Sequence, residues 1–184
     1  MARTLLLWIP ISLTLALIFA ADTPAESWNR FRGHDGQGKA EGSAVTSWDN
    51  QSNVAWKLDL PGSGSSSPIV VDDRVFVTCY AGEVGESAKR MLVCVNAKTG
   101  EEIWTHTIAA PEGEDRYQGF LTEHGYASGS AACDGKNVYA FFGKAGVVAL
   151  TVDGDLLWHK QVGDMSSNRR WGSGSSVVVA DDIV

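Results

Sequence analysis

Cysteine is scarce and irregularly placed, with three in 184 residues. Cys79, Cys94 and Cys133 lie in apolar runs without the C-x-x-C spacing of a structural zinc site, so the pattern carries no metal signal. Two readings of these residues stay open: small buried hydrophobes, or a disulfide joining Cys79 and Cys94 across neighbouring strands in an oxidising compartment. Positive charge is also short. Lys and Arg number 15 against 22 Asp and Glu, a net charge of -7. A chain of that sign is poorly suited to tracking phosphates, which argues against nucleic acid and anionic membrane surfaces as partners. Phosphate-cradling loops are missing. The Gly62–Ser67 run lacks the lysine of a phosphate loop, and Gly33–Gly38 has the wrong glycine order for a dinucleotide loop and no strand before it. Asp153-Gly154-Asp155 is two ligands short of a calcium loop. Long helical stretches are absent, while glycine, at 20 residues, is plentiful.

The one long apolar run is at the start. Arg3 supplies a positive flank, Leu5–Ala21 is almost wholly apolar, and small residues follow at Ala20, Ala21 and Ala25. This is the layout of a secretory signal cleaved between Ala20 and about Ala25, giving residues 1–25 as a signal peptide. A retained membrane anchor is the competing reading. Pro10, Ser12 and Thr14 weaken it, and the run falls short of the ~20 residues that span comfortably. The mature chain is thus expected to be exported, to the periplasm, the cell envelope or beyond, with no membrane span after cleavage.

What remains is repetitive. Ser65–Asp73, Ser128–Gly135 and Ser175–Asp182 each run from small residues through a short apolar segment into an acidic turn. Second strands follow at Val75–Val77 and Val138–Phe142, third strands at Met91–Asn96 and Gly146–Thr151, and each unit closes on a turn and a tryptophan. Trp56, Trp104 and Trp158 are spaced 48 and 54 residues apart. Four short Val-, Phe- and Tyr-rich segments per period of about fifty, bounded by Gly and Asp turns, fit a four-stranded propeller blade. Gly100 and Gly154 reverse the chain before the last strand, and Trp56, Trp104 and Trp158 are the expected blade-packing residues. The fold class is therefore all-β: an incomplete β-propeller of four-stranded antiparallel blades. An N-terminal extension (26–52) leads to a closing-type strand (53–61) of a last blade whose other strands are expected later in the chain. Blade 1 (62–110), blade 2 (111–163) and the start of a blade 3 (164–184) follow. Two blades and two part-blades are fewer than a ring needs, so the chain reads as an N-terminal fragment.

Cys94-Val95-Asn96-Ala97-Lys98-Thr99-Gly100-Glu101-Glu102-Ile103-Trp104 resembles the closing motif of the PQQ-like, or quinoprotein, propeller repeat, with Cys94 and Asn96 in place of its alanine and aspartate. Ala149–Trp158 is a shortened copy. With the Trp28–Gly38 box and Asn53–Lys57, the chain from Trp28 to Val184 resembles exported PQQ-repeat proteins of planctomycetes, often labelled BamB-like. The resemblance implies a fold and says little about activity.

Propeller topology puts the tight turns on one face and the long segments Ala81–Arg90 and Ala109–Tyr126 on the other. Long connections more often carry function, so a binding face is expected there. His124 and Tyr126, with Arg169, Arg170 and Trp171, hold matching positions before innermost strands and are the candidate binding residues. His124 has no partnered nucleophile in view, and no catalytic residue is assigned. Two functions compete. One is a non-catalytic scaffold holding a protein or a cell-envelope polymer, with no cofactor. The other, implied by the resemblance, is a PQQ-dependent dehydrogenase using PQQ with calcium. Such enzymes often carry adjacent cysteines, and none occur in this sequence.

Overall fold

A computed structural model describes residues 27–82, 88–163, 169 and 171–184. The expected signal peptide and Arg170 fall outside the described residues. Among the described residues eight strands form two sheets. β1 (Ile69–Val71), β2 (Arg74–Ala81), β3 (Lys89–Asn96) and β4 (Glu102–Ala109) make the first, and β5 (Ala132–Cys133), β6 (Asn137–Phe141), β7 (Val147–Thr151) and β8 (Leu156–Lys160) the second. Each is an antiparallel meander with its strands in chain order, as in two propeller blades. The crossing between them carries one short helix, α1 (Leu121–His124).

Alternation along the strands divides the core. Ile69, Phe76, Leu92 and Cys94 of the first sheet pack with Val138, Ala140, Val148 and Leu150 of the second, forming one apolar layer between the blades. The opposite face of blade 1 buries Cys79, Met91, Val93 and Val95 against Trp56 and Leu58. The far face of blade 2 packs Tyr139 and Ala149 against Val177 and Trp158. This decides between the two readings of the cysteines. Cys94 lies opposite Phe76 in the register, three positions from Cys79, so the two side chains point to opposite faces of one sheet. All three cysteines are free and buried, and burial pushes each thiol up to about 11.

One contact joins Trp56 and Trp104 each to the turn of the blade beside it. The Trp56 indole Nε1–H donates to Ala97 O at 2.8 Å, and the Trp104 Nε1–H donates to Val152 O at 3.1 Å. In both cases the indole lies on the glycine of that turn. A Cβ at Gly100 would come within 2.5 Å of Trp56 Cδ2, and one at Gly154 within 2.9 Å of Trp104 Cγ. Both glycines have positive φ, 75° and 98°, so glycine is required there twice over. The turns are held by side chains. Asn96 Oδ1 accepts from Lys98 N and Thr99 N, and Thr151 Oγ1 accepts from Asp155 N. Arg74 reaches across from blade 1 to Val152 O and to Asp153 Oδ1. A bulge precedes each closing tryptophan: the register skips Ile103 before Trp104 and Leu157 before Trp158. The extra residue bends the strand and turns the indole out of its own sheet. Trp158 packs beside Tyr139, with ring centroids 6.1 Å apart.

The N-terminal extension enters the hub. Trp28 bridges to Val70 of β1, and Asn29 O accepts from Cys133 N of β5, so one segment pairs with the innermost strands of both blades. Residues 54–60 pair with no strand among the described residues. In the third repeat, Val177–Val179 is not a strand. Its pairing is reduced to one bridge, Ala180 to Ile183, around a turn in which Asp181 takes φ 51°, close to the 52° of Asp72 in the first repeat. The turn is local and forms by itself, whereas a strand needs a ladder beside it.

Gly100→Ala is expected to destabilise the protein by about 2 kcal/mol or more, from the left-handed conformation and the overlap with Trp56. Urea denaturation measures this, and a loss under about 0.5 kcal/mol would mean that the indole does not rest on the turn. Iodoacetamide at pH 8 should label none of the three cysteines in the folded protein and all three in denaturant. Mass spectrometry reads the count.

Candidate functional site

The β4–β5 crossing and the start of β3 build a polar cluster between the blades. Arg90, second residue of β3, is 1% exposed and is ion-paired with Glu114 of the crossing, itself 7% exposed. The guanidinium lies over the Tyr126 ring, 4.5 Å from its centroid. Tyr126 donates its hydroxyl to Asp115 O at 2.6 Å, and Asp115 Oδ1 pairs with Lys144 Nζ at 3.1 Å. Lys144 also donates to Gly113 O at 2.8 Å, tying the crossing to the short β6–β7 connection. Burial draws the Arg90 guanidinium below its ordinary value, opposed by the Glu114 charge, and leaves it a cation. Burial pushes the Tyr126 phenol up to about 12, with Glu114 adding to the shift. Tyr80 meets Tyr126 edge-on at 5.4 Å, and burial together with its hydrogen bond to Tyr117 sends its phenol to about 12.

A second group forms around α1. His124 Nδ1 is 2.7 Å from Ser128 Oγ and His124 Nε2 is 2.7 Å from Trp171 O; a carbonyl oxygen only accepts, so Nε2–H donates to Trp171 O and Nδ1 meets the Ser128 hydroxyl. Phe120 meets Trp171 edge-on at 5.1 Å, and Arg169 lies 5.2 Å from the Trp171 centroid. Phe120, Tyr117 and Trp171 are each about half exposed, at 55%, 51% and 46%.

The structure thus brings His124 to Trp171 and Trp171 to Arg169, although 47 residues separate His124 from Trp171 in the chain. Tyr126 is turned inward, buried beneath Arg90. Arg90, Glu114 and Asp115 lie in the two long segments, but their pairing, and the part of Lys144, left no spacing signal because these ion pairs join residues distant in the chain. The three tyrosines Tyr80, Tyr117 and Tyr126 were a readable hint of an aromatic cluster.

Among the described residues no group of three or more His, Cys, Asp or Glu is placed to hold a metal ion. Two carboxylates of the β4–β5 crossing, Glu114 and Asp115, are each paired with a cation.

Residues 38–184 match the family model described as outer membrane protein assembly factor BamB. Among curated proteins, polyvinylalcohol dehydrogenase of Pseudomonas sp is 40% identical over 57 residues, which is 31% of this chain and 8% of that relative. The match therefore spans a small part of that relative's length.

Glu114→Gln should cost about 3 kcal/mol or more, because it strands a buried guanidinium. The double variant Arg90→Met/Glu114→Gln should recover most of that loss. Denaturant midpoints measure both, and a single-variant loss below about 1 kcal/mol would show the pair to be solvated.

Proposed function

We propose, for a chain that belongs to the family of the outer membrane protein assembly factor BamB, a non-catalytic role: a blade-built scaffold that holds a protein or a cell-envelope polymer on its long-connection face. The observation that carries this reading is how the side chains of that face are used. Five of its charged or titratable groups, Arg90, Glu114, Asp115, Lys144 and His124, hold the crossing in place. Beside them three aromatic side chains, Tyr117, Phe120 and Trp171, stand half exposed. Half-exposed aromatic side chains on a braced loop suit contact with a partner more than bond-making chemistry. Family membership supports a partner-binding task in the envelope, and the apolar run Leu5–Ala21 supports export. No helix among the described residues is long and apolar enough to cross a membrane.

A second reading rests on one specific observation, the 40% identity over 57 residues to a polyvinylalcohol dehydrogenase. It makes the whole protein an oxidoreductase using PQQ with calcium. The two readings part in one experiment. Protein mixed with PQQ and calcium is expected to bind neither stoichiometrically and to show no dye-linked oxidation of alcohols. Stoichiometric uptake with oxidation would replace the scaffold by the dehydrogenase. For the scaffold itself, Phe120→Ala/Trp171→Ala should weaken capture of the envelope partner about tenfold or more while leaving the denaturation midpoint near that of the parent. Capture followed by surface plasmon resonance decides this, and unchanged affinity would move the binding surface elsewhere.

A further inference from the structure

The sequence holds four tyrosines, and three of them meet where the end of β2 faces the β4–β5 crossing. Ring centroids are 6.4 Å apart for Tyr80 and Tyr117, 5.4 Å for Tyr80 and Tyr126, and 6.0 Å for Tyr117 and Tyr126. The fourth, Tyr139, packs on the far face of blade 2 and donates its hydroxyl to Asp134 Oδ2 at 2.9 Å. Tyr80 donates its hydroxyl to Tyr117 Oη at 3.4 Å, and Tyr117 donates to Thr122 O at 3.3 Å. The two hydroxyl oxygens are closer together than the two centroids, so these rings meet at their hydroxyl ends, beside the ortho carbons. A Cβ at Gly125 would overlap Tyr80 Cε1 and Cζ, so the glycine backbone presses on that ring and holds it.

The three phenols differ in how readily each is oxidised, since a phenol gives up an electron and its proton together. Tyr117 is 51% exposed and can release its proton to water. Tyr80 is partly exposed and hydrogen-bonded to Tyr117, so its proton has the same exit. Tyr126 is buried, its hydroxyl is held by Asp115 O, and the Arg90 cation over its ring opposes loss of an electron. We propose that Tyr80 and Tyr117 form a modification site, an oxidative cross-link in which an ortho carbon of one ring bonds to an ortho carbon of the other. The oxidant is hydrogen peroxide acting through a peroxidase. Each ring loses one electron and its phenolic proton, the two radicals join through one C–C bond, and the hydrogen on each coupled carbon moves to the oxygen of its own ring. Both phenols are thereby restored, and the peroxide takes up the two electrons and two protons and leaves as two waters. Holding the two rings in contact favours this coupling over encounters between molecules. The bond would tie β2 to the crossing by closing a loop between residues 37 apart, which the three free, buried cysteines do not do. The pair stands whether or not the neighbouring aromatics bind a partner.

The full chain, kept dilute, is treated with hydrogen peroxide and a peroxidase, then digested and read by mass spectrometry. The monomer is expected to lose two hydrogens and to yield a peptide joining Tyr80 to Tyr117. Tyr80→Phe and Tyr117→Phe should each abolish that peptide, because either change removes one phenol, and Tyr139→Phe should leave its yield unchanged. Three results would overturn the proposal: links that join two chains with none inside one chain, a link made through Tyr126, or a pair left unlinked under conditions that couple free tyrosine.

Discussion

The contact between an indole and a neighbouring turn is what the rest of the molecule depends on. A four-stranded sheet cannot bury both faces by itself, so each blade is stable only against another. Trp104 meets this need at a single point. Its ring covers Gly154, its N–H satisfies Val152 O, and its face meets Phe76 at 5.9 Å, which closes the outer end of the layer shared by the two sheets. Trp56 repeats the contact on Gly100 and Ala97 O one blade earlier. A hydrogen bond and a left-handed glycine fix the distance and the angle, so the blades take one relative position where apolar packing alone would allow several.

The candidate binding face follows from that geometry. With the tight turns on one side, the β4–β5 crossing runs on the other. There the β4–β5 crossing must bridge two sheets without a ladder of its own. Ion pairs and hydrogen bonds do that work: Arg90 with Glu114, Lys144 with Asp115 and Gly113, His124 with Ser128 and Trp171. Buried pairs of this kind add little net stability, yet they define one arrangement, since breaking either leaves a charge without water or a partner. The exposed aromatics on the same loop are thereby presented on a fixed frame. A loop held in one conformation gives up less entropy when a partner binds.

Family membership and the short stretch shared with a polyvinylalcohol dehydrogenase agree on architecture and diverge on task. One fold serves both, because a propeller provides a face of loops and leaves chemistry to whatever those loops carry. Here the described β4–β5 crossing carries two largely buried ion pairs, exposed charges and open aromatics.

Much of the fold was legible from residue order alone. Val, Phe and Tyr alternation with Gly and Asp turns defined the strands, and the near-fifty spacing of Trp56, Trp104 and Trp158 defined the blades, because these signals are local and repeat. Trp56 and Trp104 each rest on a neighbouring turn, while the bulges at Ile103 and Leu157 carry no signal in residue order. Tertiary structure decided what depends on register and on distant partners. It placed Cys79 and Cys94 on opposite faces, left Val177–Val179 without a ladder, turned Tyr126 under Arg90, and joined His124 to Trp171. Each of these is set by which residue of one element meets which residue of another, and a linear pattern carries no record of that meeting.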